Sequence, residues 1–223
     1  MESMRGPVDP VFVTGGTGYI GRPLIEALLE KGYRVHALVR PGSEHKLPSG
    51  ALPALGNALD EATFADAIPA GATVVHLVGT PHPNPAKAAE FRQVDLASIT
   101  ATVAAARHAA VRHLVYVSVA HPAPVMQAYI AARQEGEDLV RTSGIRATIL
   151  RPWYILGPGH RWPYLLVPVY AVLRWFPMAR DAAERLGLVT RRAMIAALVR
   201  AVETPPEGAA RIVEVPEIRQ AAA

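Results

Sequence analysis

Residues 11–24 read VFVTGGTGYIGRPL, and this stretch decides the fold. Val11–Thr14 is a short apolar run of the kind that forms a buried strand. Gly15, Gly18 and Gly21 then recur three apart, with an additional Gly16, and Arg22–Lys31 follows with helical periodicity up to a stop at Gly32. Each glycine has a physical use at this spacing. The early ones permit a tight turn and let a pyrophosphate approach the backbone, and Gly21 lets the helix pack closely on the strand. Amides at the helix start, helped by the helix dipole, hold the anion. The pattern lies between a strand and a helix, in a unit of about thirty residues, which is the context that makes it a dinucleotide signature. It lacks the Lys-Ser/Thr ending of a triphosphate loop, which argues against ATP or GTP.

The alternation continues along the chain. Arg34–Val39, Thr73–Val78, His113–Ser118 and Ala147–Leu150 are further apolar runs. Between them, Pro85–Ala110 is an alanine-rich helical stretch, and Ala128–Ser143 is a helix closed by Gly144. Continuous apolar strands separated by amphipathic helices predict an α/β fold, a Rossmann-type doubly wound parallel sheet covered on both faces. After Pro152 the rhythm breaks. Proline and aromatic residues up to Pro177 precede a helix capped by Thr190 and a final strand near Arg211–Val215. Residues 151–223 read as a small C-terminal helical and strand elaboration of a single domain over 1–223, with no internal repeat or linker.

Composition narrows the function classes. Half the residues are apolar and 19% are charged, which suits a folded domain of 223 residues and excludes disorder. The net charge of +4 comes from 20 arginines against three lysines, scattered along the chain without a basic block or interleaved aromatics. Nucleic-acid binding is therefore not expected. The absence of cysteine excludes disulfides, thiolate catalysis and cysteine-ligated zinc. His76, His82, His113, His121 and His160 show no metal-ligand spacing, and no metal site is expected. Asp60, Asp66 and Asp95 form no recognisable carboxylate pair. MESMRGPVDP has no apolar core of the signal-peptide kind, and Tyr164–Leu173 is too short to span a bilayer. The expectation is a soluble, cytoplasmic protein.

TGGTGYIG at 14–21 resembles the nucleotide-binding motif of extended and atypical short-chain dehydrogenases/reductases. GNALD at 56–60, HLVGT at 76–80, LVYVSV at 114–119 and YIAAR at 129–133 follow in the family's order. LRPWYILGPG at 150–159 and the late VEVPEI complete it. The resemblance spans essentially the whole chain and is closest to the atypical branch that includes NmrA-like proteins. It implies that Gly15, Gly16, Thr17, Gly18, Tyr19, Ile20, Gly21, Pro152 and Trp153 contact the cofactor. It also implies Asn57 and Ala58 beside the adenine and Gly79 and Thr80 beside the nicotinamide ribose. An acid at the end of the second strand would accept from an adenosine ribose and repel a 2′-phosphate. Val39 and Arg40 stand there instead. Arg40 offers a guanidinium fork and Ser43 a hydroxyl, with Arg22 a second candidate cation, so NADP(H) is preferred over NAD(H).

The same resemblance makes Ser118 and Tyr129 the pair that binds a substrate carbonyl. The family's lysine, four residues after the tyrosine, is Arg133 here. Residues four apart share a helix face, so Arg133 can bring a positive charge to Tyr129, but a guanidinium hardly gives up a proton. The competing arrangement pairs Arg133 with Glu137, again four residues on, and leaves Tyr129 packed on the sheet. Tyr129 reads as an impaired acid. Trp153 and Tyr154 follow a strand end and, with His160, Trp162 and Tyr164, are expected to line an apolar pocket. Aromatic and arginine residues there also suit a partner or membrane surface, and ordinary core and cap packing weighs as much as these two readings together. The leading expectation is an NADPH-dependent reductase of a small hydrophobic carbonyl or quinone. A non-catalytic dinucleotide-binding sensor or assembly protein is the alternative. A sugar-nucleotide epimerase or dehydratase is disfavoured by the short, apolar substrate region.

Overall fold

The computed structural model describes residues 9–158 and 186–222. Seven parallel strands form one sheet: β1 (Val11–Thr14), β2 (Val35–Val39), β3 (Leu52–Leu55), β4 (Thr73–His76), β5 (His113–Val117), β6 (Ala147–Arg151) and β9 (Ala210–Glu214). Their order is β3-β2-β1-β4-β5-β6-β9. The chain thus winds outward from β1 to β3, returns beside β1 at β4, and winds outward the other way. That reversal leaves a crevice between β1 and β4 at the carboxyl ends of the strands, where such sheets bind ligands.

Two apolar cores flank the sheet. On one face α1 (Gly21–Glu30), α5 (Arg191–Glu203) and α6 (Val215–Gln220) bury Leu24, Ile25, Leu28, Met194 and Leu198 against Val11, Val13 and Val115. On the other, α3 (Ala97–His108) and α4 (Gln127–Thr142) bury Ile99, Ala105 and Val140 against Phe12, Val74, Leu114 and Ile149. Full burial of one such aliphatic side chain stabilises by about 1.5–3 kcal/mol, so both faces contribute heavily. A short parallel pair, β7 (Ile155–Leu156) and β8 (Val189–Thr190), begins the C-terminal elaboration. Thr190 caps α5 as its sequence position suggests, its side chain accepting from the Ala193 amide at 3.1 Å. No helix among the described residues is long and apolar enough to cross a membrane.

Two features depart from the sequence reading. Leu52–Leu55 is a strand, although Pro53 and the exposed Leu52 and Leu55 hide it. It is the sheet's edge, where proline is tolerated because one side of the strand has no partner. The helical stretch after Pro85 is also not uniform. A short α2 (Ala88–Glu90) passes through a π-helical turn, Phe91–Leu96, before α3 begins. Wide turns of this kind re-aim side chains and occur often at functional sites.

Helix α4 lies close on the sheet because Gly136 has no side chain. A methyl group there would stand 2.6 Å from the Tyr116 hydroxyl and 3.1 Å from Ile99. The helix is also pinned by charge. Buried Glu137 takes two hydrogen bonds from Arg151 on β6, at 2.9 and 2.5 Å, and one from Arg141 at 2.6 Å. His121 Nε2 stands 3.5 Å away, and Arg151 also reaches Glu214 on β9 at 3.0 Å. Burial alone would raise the Glu137 carboxyl, but the Arg151 hydrogen bonds and the surrounding positive charge bring it below its usual value.

Candidate functional site

The glycine turn has the shape its sequence implies. Gly15 adopts φ +74°, and a side chain on it would meet the Leu77 backbone at 3.0 Å. A methyl group at Gly21 would strike the Gly15 carbonyl and come within 2.8 Å of Gly16 Cα, so strand and helix meet there only through glycine. Gly18 differs. Its missing side chain would meet only the Gly15 carbonyl oxygen, at 3.1 Å, and Thr17 and Gly18 are exposed. The outer surface of the turn is therefore open, above a helix whose start carries no side-chain cap and no acidic residue. These features fit the pyrophosphate of a dinucleotide.

On the β2 side, Arg40 is exposed just beyond the strand, and the Ser43 amide donates to its carbonyl at 3.0 Å across a turn containing Gly42 at φ +82°. Asn57 and Ala58 follow β3, with the Asn57 side chain accepting from the Leu59 amide at 3.1 Å. Arg22 is less available than Arg40, since it pairs with Glu26 along α1 at 3.3 Å.

On the β5 and β6 side, Ser118, Tyr129, Arg133, Pro152, Trp153 and Tyr154 converge on one cavity of about 460 Å³. Ser118 and Pro152 stand directly after β5 and β6, and Tyr129 and Arg133 project from α4. Tyr19 of the glycine turn completes one wall, with Arg191 Cζ 5.2 Å from its ring centre. The Trp153 and Tyr154 rings meet edge to face at 5.3 Å, and burial pushes the Tyr154 phenol up. His82, Asn84 and Met126 form a lip that sequence patterns do not reveal. His82 and Met126 both hold left-handed backbone conformations, φ 49° and 62°. Strain of this kind at non-glycine residues clusters at functional sites. His160, Trp162 and Tyr164, assigned to the pocket from sequence, lie outside the described residues.

Arg133 does not pair with Glu137. Its guanidinium turns under the sheet's carboxyl edge, where Nη2 stands 2.6 Å from Asp95 Oδ1 and Nη1 donates to the Val117 carbonyl at 3.0 Å. Glu137 is instead occupied by Arg151 and by Arg141, the cation one helical turn further on. Arg133 Cζ lies 5.3 Å from the Tyr129 ring centre, and the Phe91 ring centre lies 5.0 Å from it. Burial alone would favour loss of the Arg133 proton, but Tyr129, Tyr116 and Asp95 outweigh it and keep the guanidinium charged. Close by, buried His76 is shared among Thr14, Thr102 and Ser98 at 3.0, 3.0 and 3.3 Å. Burial and, secondarily, the Arg133 charge lower its pKa to about 3, so it stays neutral.

A family model described as NAD(P)H-binding matches residues 15–162. The chain is 29% identical over 212 residues to a ceramide reductase of Caulobacter vibrioides, covering 94% of this chain and 65% of the relative. It is 31% identical over 168 residues to a 4-hydroxy-2-methyl-3-oxo-4-farnesyl-3,4-dihydroquinoline-1-oxide ketoreductase of Stigmatella aurantiaca, covering 66% of this chain and 50% of the relative. The chain thus spans about half to two thirds of the length of these curated relatives. Its fold is similar to that of a short-chain dehydrogenase/reductase superfamily protein from Agrobacterium tumefaciens with bound NAD. There the TM-score is 0.67 at 21% identity, covering 92% of this chain and 77% of that one.

Proposed function

The chain belongs to the NAD(P)H-binding family whose model it matches, and from that premise we propose that it is an NADPH-dependent reductase of the short-chain dehydrogenase/reductase kind, acting on a hydrophobic carbonyl compound or quinone. The observation that carries this reading is the convergence of Ser118, Tyr129 and Arg133 on one largely apolar cavity beside the glycine turn. The cavity falls in the size range of small-molecule sites. The relatives named for a ceramide and for a farnesyl-bearing dihydroquinoline oxide favour a greasy substrate of similar character.

Gly15, Gly16, Thr17, Gly18, Ile20 and Gly21 would hold the pyrophosphate, with Arg40 and Ser43 at the adenosine 2′-phosphate. Bound NADPH supplies the hydride. Tyr129 and Ser118 would hold the substrate oxygen by hydrogen bonds. As that oxygen gains charge, the Tyr129 phenol gives it a proton, and water restores the phenol afterwards. Arg133 contributes a fixed positive charge beneath the Tyr129 ring and no proton. The apolar walls formed by Val119, Met126, Trp153 and Ile155 exclude water from the reacting atoms.

Two measurements test the cofactor reading. Gly18→Val adds a side chain whose one close neighbour is the Gly15 carbonyl oxygen, 3.1 Å from the new Cβ. A shift of a few tenths of an ångström in the exposed turn accommodates it, so the fold should persist while calorimetry finds no binding of NADPH or NADH. A folded variant with wild-type affinity removes the glycine turn from the site. For the adenosine end, NADPH should bind more tightly than NADH, and Arg40→Asp should narrow or reverse the difference. Loss of a charge-assisted bond is worth about 1.5–3 kcal/mol, roughly ten-fold or more in dissociation constant. Equal affinities that the variant leaves unchanged would show that Arg40 is merely solvated.

A further inference from the structure

Asp95 is fully buried, and sequence patterns give it no partner. The π-helical turn that carries it aims its carboxylate at two elements of the site at once. Asp95 Oδ2 accepts from the Thr80 amide at 3.1 Å and from the Thr80 hydroxyl at 2.6 Å. Asp95 Oδ1 faces Arg133 Nη2 at 2.6 Å. Gly79 completes the arrangement, because a methyl group on it would collide with Arg133 Nη2 and approach Asp95 Oδ1 to 3.0 Å. The loop after β4 and the guanidinium from α4 are thereby locked together through one carboxylate.

The position of this lock gives it a function. The adenosine end of a dinucleotide lies on the β2 side of the crevice, since the group that meets its ribose stands at the end of that strand. The other half must cross the β1–β4 reversal towards β4 and β5, where Gly79, Thr80 and Arg133 stand. We propose that Asp95 is a positioning residue for the nicotinamide half of the cofactor, acting through Thr80 and Arg133. This assignment rests on the dinucleotide reading above and adds a residue that the reading does not contain. It also means that Arg133 is one member of a charge pair shaped to its site, so that a lysine there would not be an equivalent cation.

The experiment compares two ligands by calorimetry: NADPH, which reaches both halves of the crevice, and 2′,5′-ADP, which occupies the adenosine half alone. In Asp95→Asn the affinity for NADPH should fall by about ten-fold or more while that for 2′,5′-ADP stays at the wild-type value. Asp95→Asn leaves Arg133 buried without its counter-ion and is expected to lower the melting temperature. Asp95→Asn/Arg133→Gln removes both charges, so it should recover stability but not NADPH affinity. Recovery of both together would make Asp95 a purely structural residue and overturn the proposal, as would equal losses for the two ligands. Wild-type NADPH affinity in folded Asp95→Asn overturns it as well. A wild type that binds 2′,5′-ADP but neither NADPH nor NADH would overturn the dinucleotide reading itself, and this assignment with it.

Discussion

Tyr129→Phe should lower turnover of an accepted carbonyl substrate by about 10²–10⁴-fold, the usual contribution of a positioned general acid. The substitution removes one hydroxyl and keeps the ring, so the contacts of Tyr129 with Phe91 at 5.0 Å and with the Arg133 guanidinium at 5.3 Å survive. NADPH affinity and melting temperature should therefore stay near wild type, and the loss should fall on kcat. Tyr154 supplies an internal control, because its phenol also lines the cavity. Burial raises that phenol's pKa above the usual tyrosine value, and Tyr154→Phe should act mainly on KM. A smaller kcat loss in Tyr129→Phe than in Tyr154→Phe would reverse the two roles. A wild type that binds NADPH yet oxidises none with a broad panel of quinones, aldehydes and long-chain ketones would support the sensor reading in place of the reductase.

The second large effect is on stability. Glu137→Ala should destabilise the protein by about 3–5 kcal/mol, the range found when one partner of a buried ion pair is removed. For a chain of this size that corresponds to a fall in melting temperature of roughly 10 °C or more. Among the described residues Arg151 would keep only Glu214, and Arg141 only Asp138, so α4 would lose its charged attachment to β6. Because α4 carries Tyr129 and Arg133, turnover should weaken in the folded fraction too. Glu137→Gln keeps the shape and some accepting capacity and should lie between alanine and wild type. A melting temperature within about 2 °C of wild type for Glu137→Ala, less than 1 kcal/mol, would show that solvent already screens the cluster.

Much of this architecture was legible in the residues, for local reasons. The Gly15–Gly21 spacing, the runs at β1, β2, β4, β5 and β6, and the glycine stops after α1 and α4 are patterns set by neighbours in sequence. Strand β3 was not legible, because at a sheet edge half of the strand faces water and proline is allowed, so both strand signals vanish. The placement of Arg133 was illegible for a different reason. Helical spacing correctly indicates an ion pair four residues apart in α4, but the pair that forms is Glu137 with Arg141. Arg133 is drawn away by a carboxylate distant in sequence, delivered by a π turn that no 3.6-residue periodicity describes. His82 and Met126 were not legible as pocket residues, because nothing in a loop's composition tells which of its residues will bend into a cavity.

Those two lip residues have a bearing on how the protein can change. Each occupies a backbone conformation that suits glycine or asparagine better than its own side chain, at a cost of order 1–3 kcal/mol. At most positions of an enzyme, a mutation that reshapes the pocket also weakens the fold, and adaptation stalls on that conflict. At Met126 the two effects run in the same direction. Exchange for glycine relaxes the backbone and removes a bulky side chain from the mouth of the cavity in a single step. The entrance is therefore a place where the shape of the cavity can change without a cost to the fold.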